Sequence, residues 1–136
     1  ERNPKVEWAS QNMLVLGIII LLGLVLHLYN FWGHMMFAEL ADVEVAHDPA
    51  DGFAWIQDTF SNPVFSILYL VWICFIWLHL SHGFWSAMQT LGWSGKIWLK
   101  RWQTIGIVYV TILMGVFAFL VLSFWLGFAP SYCAQL

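Results

Sequence analysis

The fold of this chain is decided by residues 13–37, which read MLVLGIIILLGLVLHLYNFWGHMMF. Apart from His27, Asn30 and His34 the stretch is apolar, and residues 8–38 contain no charged side chain. A helix rises about 1.5 Å per residue, so about 20 apolar residues cross the roughly 30 Å hydrocarbon core of a bilayer. The stretch therefore predicts a membrane-spanning helix.

Two further stretches have the same character. No charged residue lies between Thr59 and Gly95, and none follows Arg101 through Phe128. The chain is 61% hydrophobic and only 10% charged, whereas soluble domains carry about 25% charged residues. Backbone polar groups in hydrocarbon must form their hydrogen bonds within the segment, which favours helix in each span. We therefore predict an all-α integral membrane protein with three transmembrane helices.

The predicted boundaries follow from the apolar runs and the residues that end them. Ser61-Asn62-Pro63 is typical of a helix start, and Leu91–Gly95 is typical of a helix end. The predicted segments are a transmembrane helix at 9–37, an acidic loop at 38–62, a second transmembrane helix at 63–90, a basic loop at 91–102, a third transmembrane helix at 103–128 and a tail at 129–136. Within the acidic loop we expect solvated backbone, with a short surface helix around Phe53–Phe60 as the alternative.

Charge placement predicts the orientation of the spans. All five basic residues lie before the first span or between the second and third: Arg2, Lys5, Lys96, Lys100 and Arg101. The other loop, residues 39–58, holds six acidic residues and no basic one. Cytoplasmic loops of membrane proteins carry the excess of Lys and Arg. We therefore expect the N-terminus and the Lys96–Arg101 loop in the cytoplasm.

Two histidines, His27 and His79, each lie deep inside an uncharged apolar stretch. A charged side chain in hydrocarbon costs roughly 2.5 kcal/mol or more on insertion scales, so an ionisable residue there usually has a function. Axial ligation of haem b is one such function. A hydrogen bond to a neighbouring helix and a place in a proton relay are the alternatives. His34 and His82 fit interfacial polar contacts, and His47 fits a loop.

Each of these two histidines has a glycine on its own helix face. Gly23 precedes His27 by four residues, and Gly83 follows His79 by four. Such a glycine leaves room for a flat ring system, although small residues also pack helix against helix. The other polar residues beside the two histidines are Asn30, His34 and His82.

The two histidines are expected at different depths. His27 falls in the outer half of its span and His79 in the inner half, with an offset of roughly 7 Å at the helical rise. That offset favours two haems, each with a second ligand from elsewhere. The sequence contains no C-x-x-C-H motif, so haem would be bound without a covalent link. A Cys74–Cys133 disulfide is not expected, because one cysteine is mid-membrane and the other is in the tail.

Several function classes are not indicated. No carboxylate or basic side chain lies inside a predicted span, which argues against a proton channel, voltage sensor or ion filter carried by this chain alone. No Cys/His spacing typical of zinc sites, no nucleophile–base arrangement and no basic stretch suited to nucleic acid is present.

Two stretches resemble one known family. The first is WASQNMLVLG at 8–17 followed by LHLYNFW at 26–32, and the second is WLHLSHGFWSAMQTLGW at 77–93. They resemble the dihaem cytochrome b membrane anchor of succinate:quinone oxidoreductase (succinate dehydrogenase or fumarate reductase), closest to the five-helix b558 type of bacteria. The pattern H-x-x-H-G-F-W-S-x-x-Q-x-L-G is the specific part. The resemblance covers about residues 8–128.

The resemblance implies that this chain is three spans of a five-helix haem-binding bundle. The chain looks like the third, fourth and fifth spans, so we expect a fragment that lacks two N-terminal helices. His27 resembles the third-span ligand of the haem distal to the partner subunits, and His79 the fourth-span ligand of the proximal haem. His82 is the rival of His79. Further contacts with the haem propionates or with the ligands are expected from His34, Asn30, Gly23 and Gly83.

The resemblance also implies partners and location. The chain would pass electrons between an iron–sulfur subunit and membrane quinone, expected to be menaquinone, while the succinate or fumarate site lies on a flavoprotein subunit. It would be multi-pass in the bacterial inner membrane, and a higher oligomer of the complex is compatible with the family. Two alternatives stay open: the haem b anchor of a hydrogenase or formate dehydrogenase, and a non-haem membrane scaffold or assembly protein.

Overall fold

The computed structural model of this protein describes residues 12–41, 47–93 and 95–128. Every regular element in these ranges is helical, which confirms the all-α prediction. The elements are α1 (Met13–His27), a π-helical segment (Leu28–Gly33), α2 (His34–Ala41), α3 (Gly52–Ser61), α4 (Pro63–Thr90) and α5 (Lys96–Trp125). Three stretches of the described chain are long and apolar enough to cross a membrane, namely Met13–Ala41, Pro63–Thr90 and Ile97–Trp125.

The first membrane-length stretch continues four residues past its predicted end at 37. It passes through Glu39 and ends at Ala41. Glutamate is a good helix former, so the first charged residue after an apolar run does not by itself end the helix. Residues 9–11 of the predicted span lie outside the described part of the chain, as do Arg2 and Lys5.

The second membrane helix, α4, has the predicted range of 63–90. At its start the Val64 N–H donates to Asn62 Oδ1 at 2.9 Å, which satisfies one of the free amides of the first turn. At its end Gly92 has a φ of 80°. The Gly92 N–H donates to the Gln89 carbonyl and the Trp93 N–H to the Met88 carbonyl, each at 3.0 Å. These two bonds form a Schellman motif, in which glycine is favoured at the left-handed position.

The predicted basic loop at 91–102 is wrong beyond Gly95. Helix α5 begins at Lys96, seven residues before the predicted start at 103, and the Leu99 N–H donates to the Gly95 carbonyl at 2.9 Å. Lysine and arginine are good helix formers whose stems lie along apolar surface while their charges reach water. Helix α5 ends at Trp125, three residues before the predicted end at 128, and the predicted tail at 129–136 with Cys133 lies outside the described residues.

Residues 52–61 of the acidic loop form helix α3, which confirms the alternative of a short helix around residues 53–60 over a loop without regular structure. Asp51 caps this helix, because its Oδ1 accepts the Ala54 N–H at 3.1 Å. The side chains of Trp55 and Phe60 are buried, and the Trp55 indole N–H donates to the Asp48 carbonyl at 3.2 Å. Burial of these two aromatic rings packs the ten-residue helix against the residues around it.

The chain divides into two compact units. Glu1–Ile20 and Trp72–Phe117 make up the first, which we name the His79 unit, and Leu21–Val71 and Ala118–Leu136 make up the second, which we name the His27 unit. The buried apolar side chains of the His79 unit are Leu16, Ile73, Val110 and Met114. The buried side chains of the His27 unit are Asn30, Trp55, Phe60, Ser66, Tyr69 and Val121.

Hydrogen bonds from tryptophan side chains connect neighbouring helices of the His79 unit. The Trp72 indole N–H donates to the Ile20 carbonyl at 3.3 Å, and the Trp77 indole N–H donates to Thr111 Oγ1 at 2.9 Å. In hydrocarbon such a bond has no competing water, so each indole N–H has its partner within the protein.

Most apolar side chains of the three long helices point outward. Leu14 is 76% exposed and Phe119 is 72% exposed. Surfaces of this kind are unfavourable in water but match lipid chains or further apolar helices. Hydroxyl groups on the same surfaces bond their own helix, as Ser123 Oγ does by donating to the Phe119 carbonyl at 2.7 Å. The described surface is therefore suited to contact with the lipid chains of a bilayer.

Gly106 provides a test of helix packing in the His79 unit. It is buried, and a Cβ added there would overlap Cδ1 of the Phe84 ring and lie 3.1 Å from its Cε1. We expect Gly106→Ala to displace this ring and to cost about 1–3 kcal/mol of stability, as overpacking does in other cores. The measurement is thermal unfolding of the full chain in detergent, followed by circular dichroism.

Gly115→Ala is the matched control, because no heavy atom lies within 4 Å of a Cβ at that position of the same helix. It should leave the melting temperature unchanged or raise it slightly, since alanine is the better helix former. Equal losses in both variants would contradict the packing of Gly106 on Phe84. Adding Phe84→Leu to Gly106→Ala should recover part of the loss.

Candidate functional site

His79 lies near the middle of α4 in a segment without charged residues. Its ring is half-buried, and Nδ1 is buried without a hydrogen-bond partner among the described residues. An unpaired buried polar atom costs about 1–3 kcal/mol, so a native protein rarely leaves one without a reason. The other nitrogen, Nε2, is neither buried nor hydrogen-bonded within the same ranges. This imidazole therefore has a nitrogen that is free to bind a metal ion.

Gly17 of α1 lies beside the His79 ring. A Cβ added at Gly17 would be 3.8 Å from His79 Cε1, an ordinary van der Waals contact. Because glycine has no side chain, the imidazole can lie close to the α1 backbone at this point. Gly83, one turn after His79 on the same face of α4, lies beside Met13 of α1, since a Cβ there would be 3.4 Å from Met13 Cε.

The position of Gly17 beside His79 was not predicted from the sequence. The available signal was a second glycine in α1 besides Gly23, but helix periodicity relates residues of one helix only. Which glycine of α1 faces a histidine of α4 depends on how the two helices pack. Gly23 itself lies half-buried in α1.

His82, the rival candidate ligand, has different surroundings from His79. Its ring packs edge-on against Trp85, with the ring centroids 5.0 Å apart and an interplanar angle of 72°. Neither of its nitrogens is a buried atom without a partner. The buried, unpaired nitrogen thus distinguishes His79 from its neighbour one turn further along.

His27 lies at the junction between α1 and the π-helical segment. π-helical turns are rare and often occur at functional sites. The His27 ring is in contact with two aromatic rings, Phe31 at a centroid distance of 5.0 Å and Tyr69 at 6.0 Å. The segment ends at Gly33, where an added Cβ would lie 3.4 Å from the Leu28 carbonyl oxygen, within ordinary contact distance.

A buried polar pair supports this aromatic group. Asn30 is 7% exposed, and its Nδ2 donates to the Tyr69 hydroxyl at 3.3 Å. Tyr69 also meets Phe60 edge-on at 5.1 Å and Phe31 at 6.2 Å. Asn30 was expected near a haem propionate or a ligand. It donates a hydrogen bond to Tyr69, and Tyr69 contacts His27, so one residue lies between Asn30 and the candidate ligand.

His34 and His47 both pack on Trp55. The His34 ring stacks on the indole at 5.5 Å with an interplanar angle of 13°, and the His47 ring meets it edge-on at 5.4 Å. Both contacts lie at the end of the His27 unit that contains α3. His34 was expected to contact haem, and in this structure its ring partners are Trp55 and Tyr29.

The donor set of each candidate site is a single imidazole. The described ranges contain no group of three or more His, Cys, Asp or Glu side chains placed to hold a metal ion. Haem iron takes four nitrogens from its porphyrin and needs only axial ligands from protein. One accessible imidazole nitrogen in an apolar helix fits that requirement at His79. Cys74 is exposed and not in a disulfide.

No protein-family model matches this chain, no curated protein is similar to it, and no solved structure is similar to it. The residues and contacts described above are therefore the basis on which a function is assigned.

The Asn30–Tyr69 pair gives a prediction for the His27 unit. Tyr69→Phe removes the acceptor of a buried amide, so we expect a loss of about 1–3 kcal/mol and a lower melting temperature in detergent. Tyr109→Phe is the control, because Tyr109 is 62% exposed and its hydroxyl makes no hydrogen bond within the described residues. Equal melting temperatures for the two variants would show that the buried bond is not formed.

Proposed function

We propose that this chain corresponds to the last three spans of a dihaem cytochrome b membrane anchor. In that role it carries electrons between an iron–sulfur subunit and membrane quinone in succinate:quinone oxidoreductase. The observation that carries the proposal is the imidazole of His79 in an apolar helix, with its buried unpaired Nδ1 and its accessible Nε2. The sequence pattern at 79–92 supports the particular family.

His79 and His27 would each supply one axial ligand to a b haem. With the proton on Nδ1, Nε2 of His79 keeps its lone pair for iron. When bound, haem b supplies reversible one-electron oxidation and reduction at its iron. The two histidines belong to different units, which supports two haems with one ligand each from this chain. The remaining two ligands would come from spans that precede those described.

The surroundings of the two histidines would set the conditions for electron transfer. Around His27 the rings of Phe31, Phe60 and Tyr69 exclude water and lower the local dielectric constant, which tunes a haem potential. Beside His79, Gly17 lets the imidazole lie close to the α1 backbone, which helps to fix the position of the ring. The chain would therefore contribute ligands and a dry environment.

The proposed orientation follows from charge, and the proposed partners follow from the family resemblance. The basic end of α5 would face the cytoplasm of a bacterial inner membrane, by the excess of Lys and Arg there. A flavoprotein subunit and an iron–sulfur subunit would dock on that side. The succinate or fumarate site would lie on the flavoprotein, so this chain acts as an enzyme only as a subunit. The quinone, expected to be menaquinone, would react within the membrane part.

Haem content of the whole purified complex tests the ligand assignment. Reduced-minus-oxidised spectra should contain a b-type signal, and a pyridine haemochrome assay should give the haem per complex. We expect His79→Ala to remove the cytoplasmic-side haem, about half of the total, and His27→Ala to remove the other half, since iron loses an axial ligand in each case. His82→Ala is the matched control and should retain both haems.

Loss of haem in His82→Ala but not in His79→Ala would overturn the choice of ligand. Absence of any b-type signal in the wild-type complex would favour a membrane scaffold without haem. Succinate-driven quinone reduction by the complex separates the proposed oxidoreductase from a hydrogenase or formate dehydrogenase. A haem-bearing complex that reduces quinone with hydrogen or formate but not with succinate would contradict the family assignment.

Gly17 allows a test of the position of the His79 ring. We expect Gly17→Leu to lower the haem content by about half, because the longer side chain would overlap the imidazole and displace it. Gly17→Ala should keep the haem, since its Cβ would make only an ordinary contact at 3.8 Å. Gly115→Leu controls for the added bulk, because that position is open. Full haem content in folded Gly17→Leu protein would place the cofactor elsewhere.

A further inference from the structure

The turn between α4 and α5 contains a cavity that the proposed function does not use. Its volume is about 360 Å³, and it is lined by Gly92, Trp93, Gly95, Trp98 and Trp102. All five residues belong to the His79 unit. We name this cavity the tryptophan pocket. Tryptophan prefers the membrane interface in general, but scattered interfacial rings do not by themselves enclose a cavity.

The walls of the tryptophan pocket are held in place by the turn and by ring packing. The Schellman motif at Gly92 fixes the direction of Trp93 through its N–H bond to the Met88 carbonyl. The Trp93 and Trp102 rings stack at 5.9 Å with an interplanar angle of 26°, and Trp98 meets Trp102 at 6.1 Å. Ring-to-ring packing of this kind makes a rigid apolar wall.

Positive charge borders the pocket. The Arg101 guanidinium carbon lies 5.1 Å from the centre of the Trp98 ring, and Lys100 and Arg101 are both exposed. Neither side chain forms an ion pair with a described residue. The sequence contains no acidic residue after Asp58, so the second half of the chain offers no carboxylate to balance this charge. An anion from outside the chain would therefore be favoured here.

We propose that the tryptophan pocket binds an anionic phospholipid, with the phosphate beside Arg101 and the glycerol and upper acyl carbons against the tryptophan rings. A cavity of this size lies near the lower end of the roughly 300–1,000 Å³ range of small-molecule sites. The chemistry of the walls, aromatic with cationic side chains at the edge, matches a molecule that is charged at one end and apolar at the other.

The shape of the pocket favours a lipid over an acidic protein surface. A protein carboxylate could pair with exposed Lys100 or Arg101 without entering the space between the tryptophan rings. A phospholipid would use both the charges and the cavity, because its phosphate and its glycerol are joined. Binding of a phospholipid should therefore depend on the cavity and on the charge, whereas binding of a protein carboxylate should depend on the charge alone. The inference does not depend on haem.

The experiment measures lipid binding to the whole complex after delipidation in detergent. Dioleoylphosphatidylglycerol is titrated, and bound lipid is counted by native mass spectrometry. We expect Arg101→Gln to weaken binding by about tenfold, since it removes a charge-assisted contact with phosphate. Trp98→Ala should weaken it by a similar factor. Gly95→Leu should do the same by filling the cavity from a position where a Cβ has open space.

The controls make the same kind of substitution at residues that do not line the pocket. Trp32→Ala removes another exposed tryptophan, and Lys100→Gln removes an exposed basic residue on a different face of α5 from Trp98 and Trp102. Both should bind lipid as the wild type does. Circular dichroism and melting temperature establish that each variant is folded. If Trp98→Ala does not fold, Gly95→Leu alone carries the test of the cavity.

Three results would overturn the proposal. The first is equal binding of dioleoylphosphatidylcholine and dioleoylphosphatidylglycerol, which would remove the role of charge. The second is competition by inorganic phosphate at the same concentration, which would indicate a simple anion site. The third is loss of binding in Arg101→Gln with none in folded Trp98→Ala and Gly95→Leu, which would indicate a charged surface suited to a protein partner.

Discussion

Hydrocarbon offers no hydrogen-bond partner, and this constraint governs the polar side chains on the described spans. Hydroxyls such as that of Ser123 bond their own helix, and the indole N–H groups of Trp72 and Trp77 donate to a neighbouring helix. Two buried atoms of α4 do not follow this pattern. His79 Nδ1 is buried without a partner among the described residues, and so is Ser81 Oγ two residues later. Atoms of this kind are rare in native proteins, and this is why His79 was chosen as the centre of the candidate site.

The sequence predicted the three spans and most of their ends because those features are local. An absence of charge over more than 20 residues defines a span, and Asn62 and Gly92 act on their own backbone neighbourhood. The start of α5 at Lys96 was missed because charge was taken as the edge of a helix, whereas a charged side chain can extend from a helix to reach water. A helix end that depends on how far a charged side chain extends to water is harder to predict from sequence than one set by glycine or proline.

The contacts around the candidate ligands could be predicted only in part. The histidines were selected from their apolar surroundings, but their neighbours come from other helices. Gly17 of α1 lies beside His79 of α4, although the two residues are 62 positions apart in sequence. Similarly, burial of Trp55 depends on the rest of the His27 unit, and nothing in an acidic loop of mixed composition indicates it. Periodicity describes one helix at a time, so pairs between helices require the fold.

The π-helical segment has a consequence for the spacing of residues on either side of it. In an α-helix His27 and His34, seven positions apart, would share one face. A π turn takes up an extra residue, which rotates everything after it by about 100° relative to the α-helical register. This rotation accounts for a His34 ring that lies flat on Trp55 while His27 contacts Tyr69. Deletion of one residue within Leu28–Gly33 would remove the extra residue and the wide turn together, so the backbone would return to regular α-helix and the residues of α2 would keep their present faces. Deletion of one residue within α1 would instead turn every later residue by about 100°.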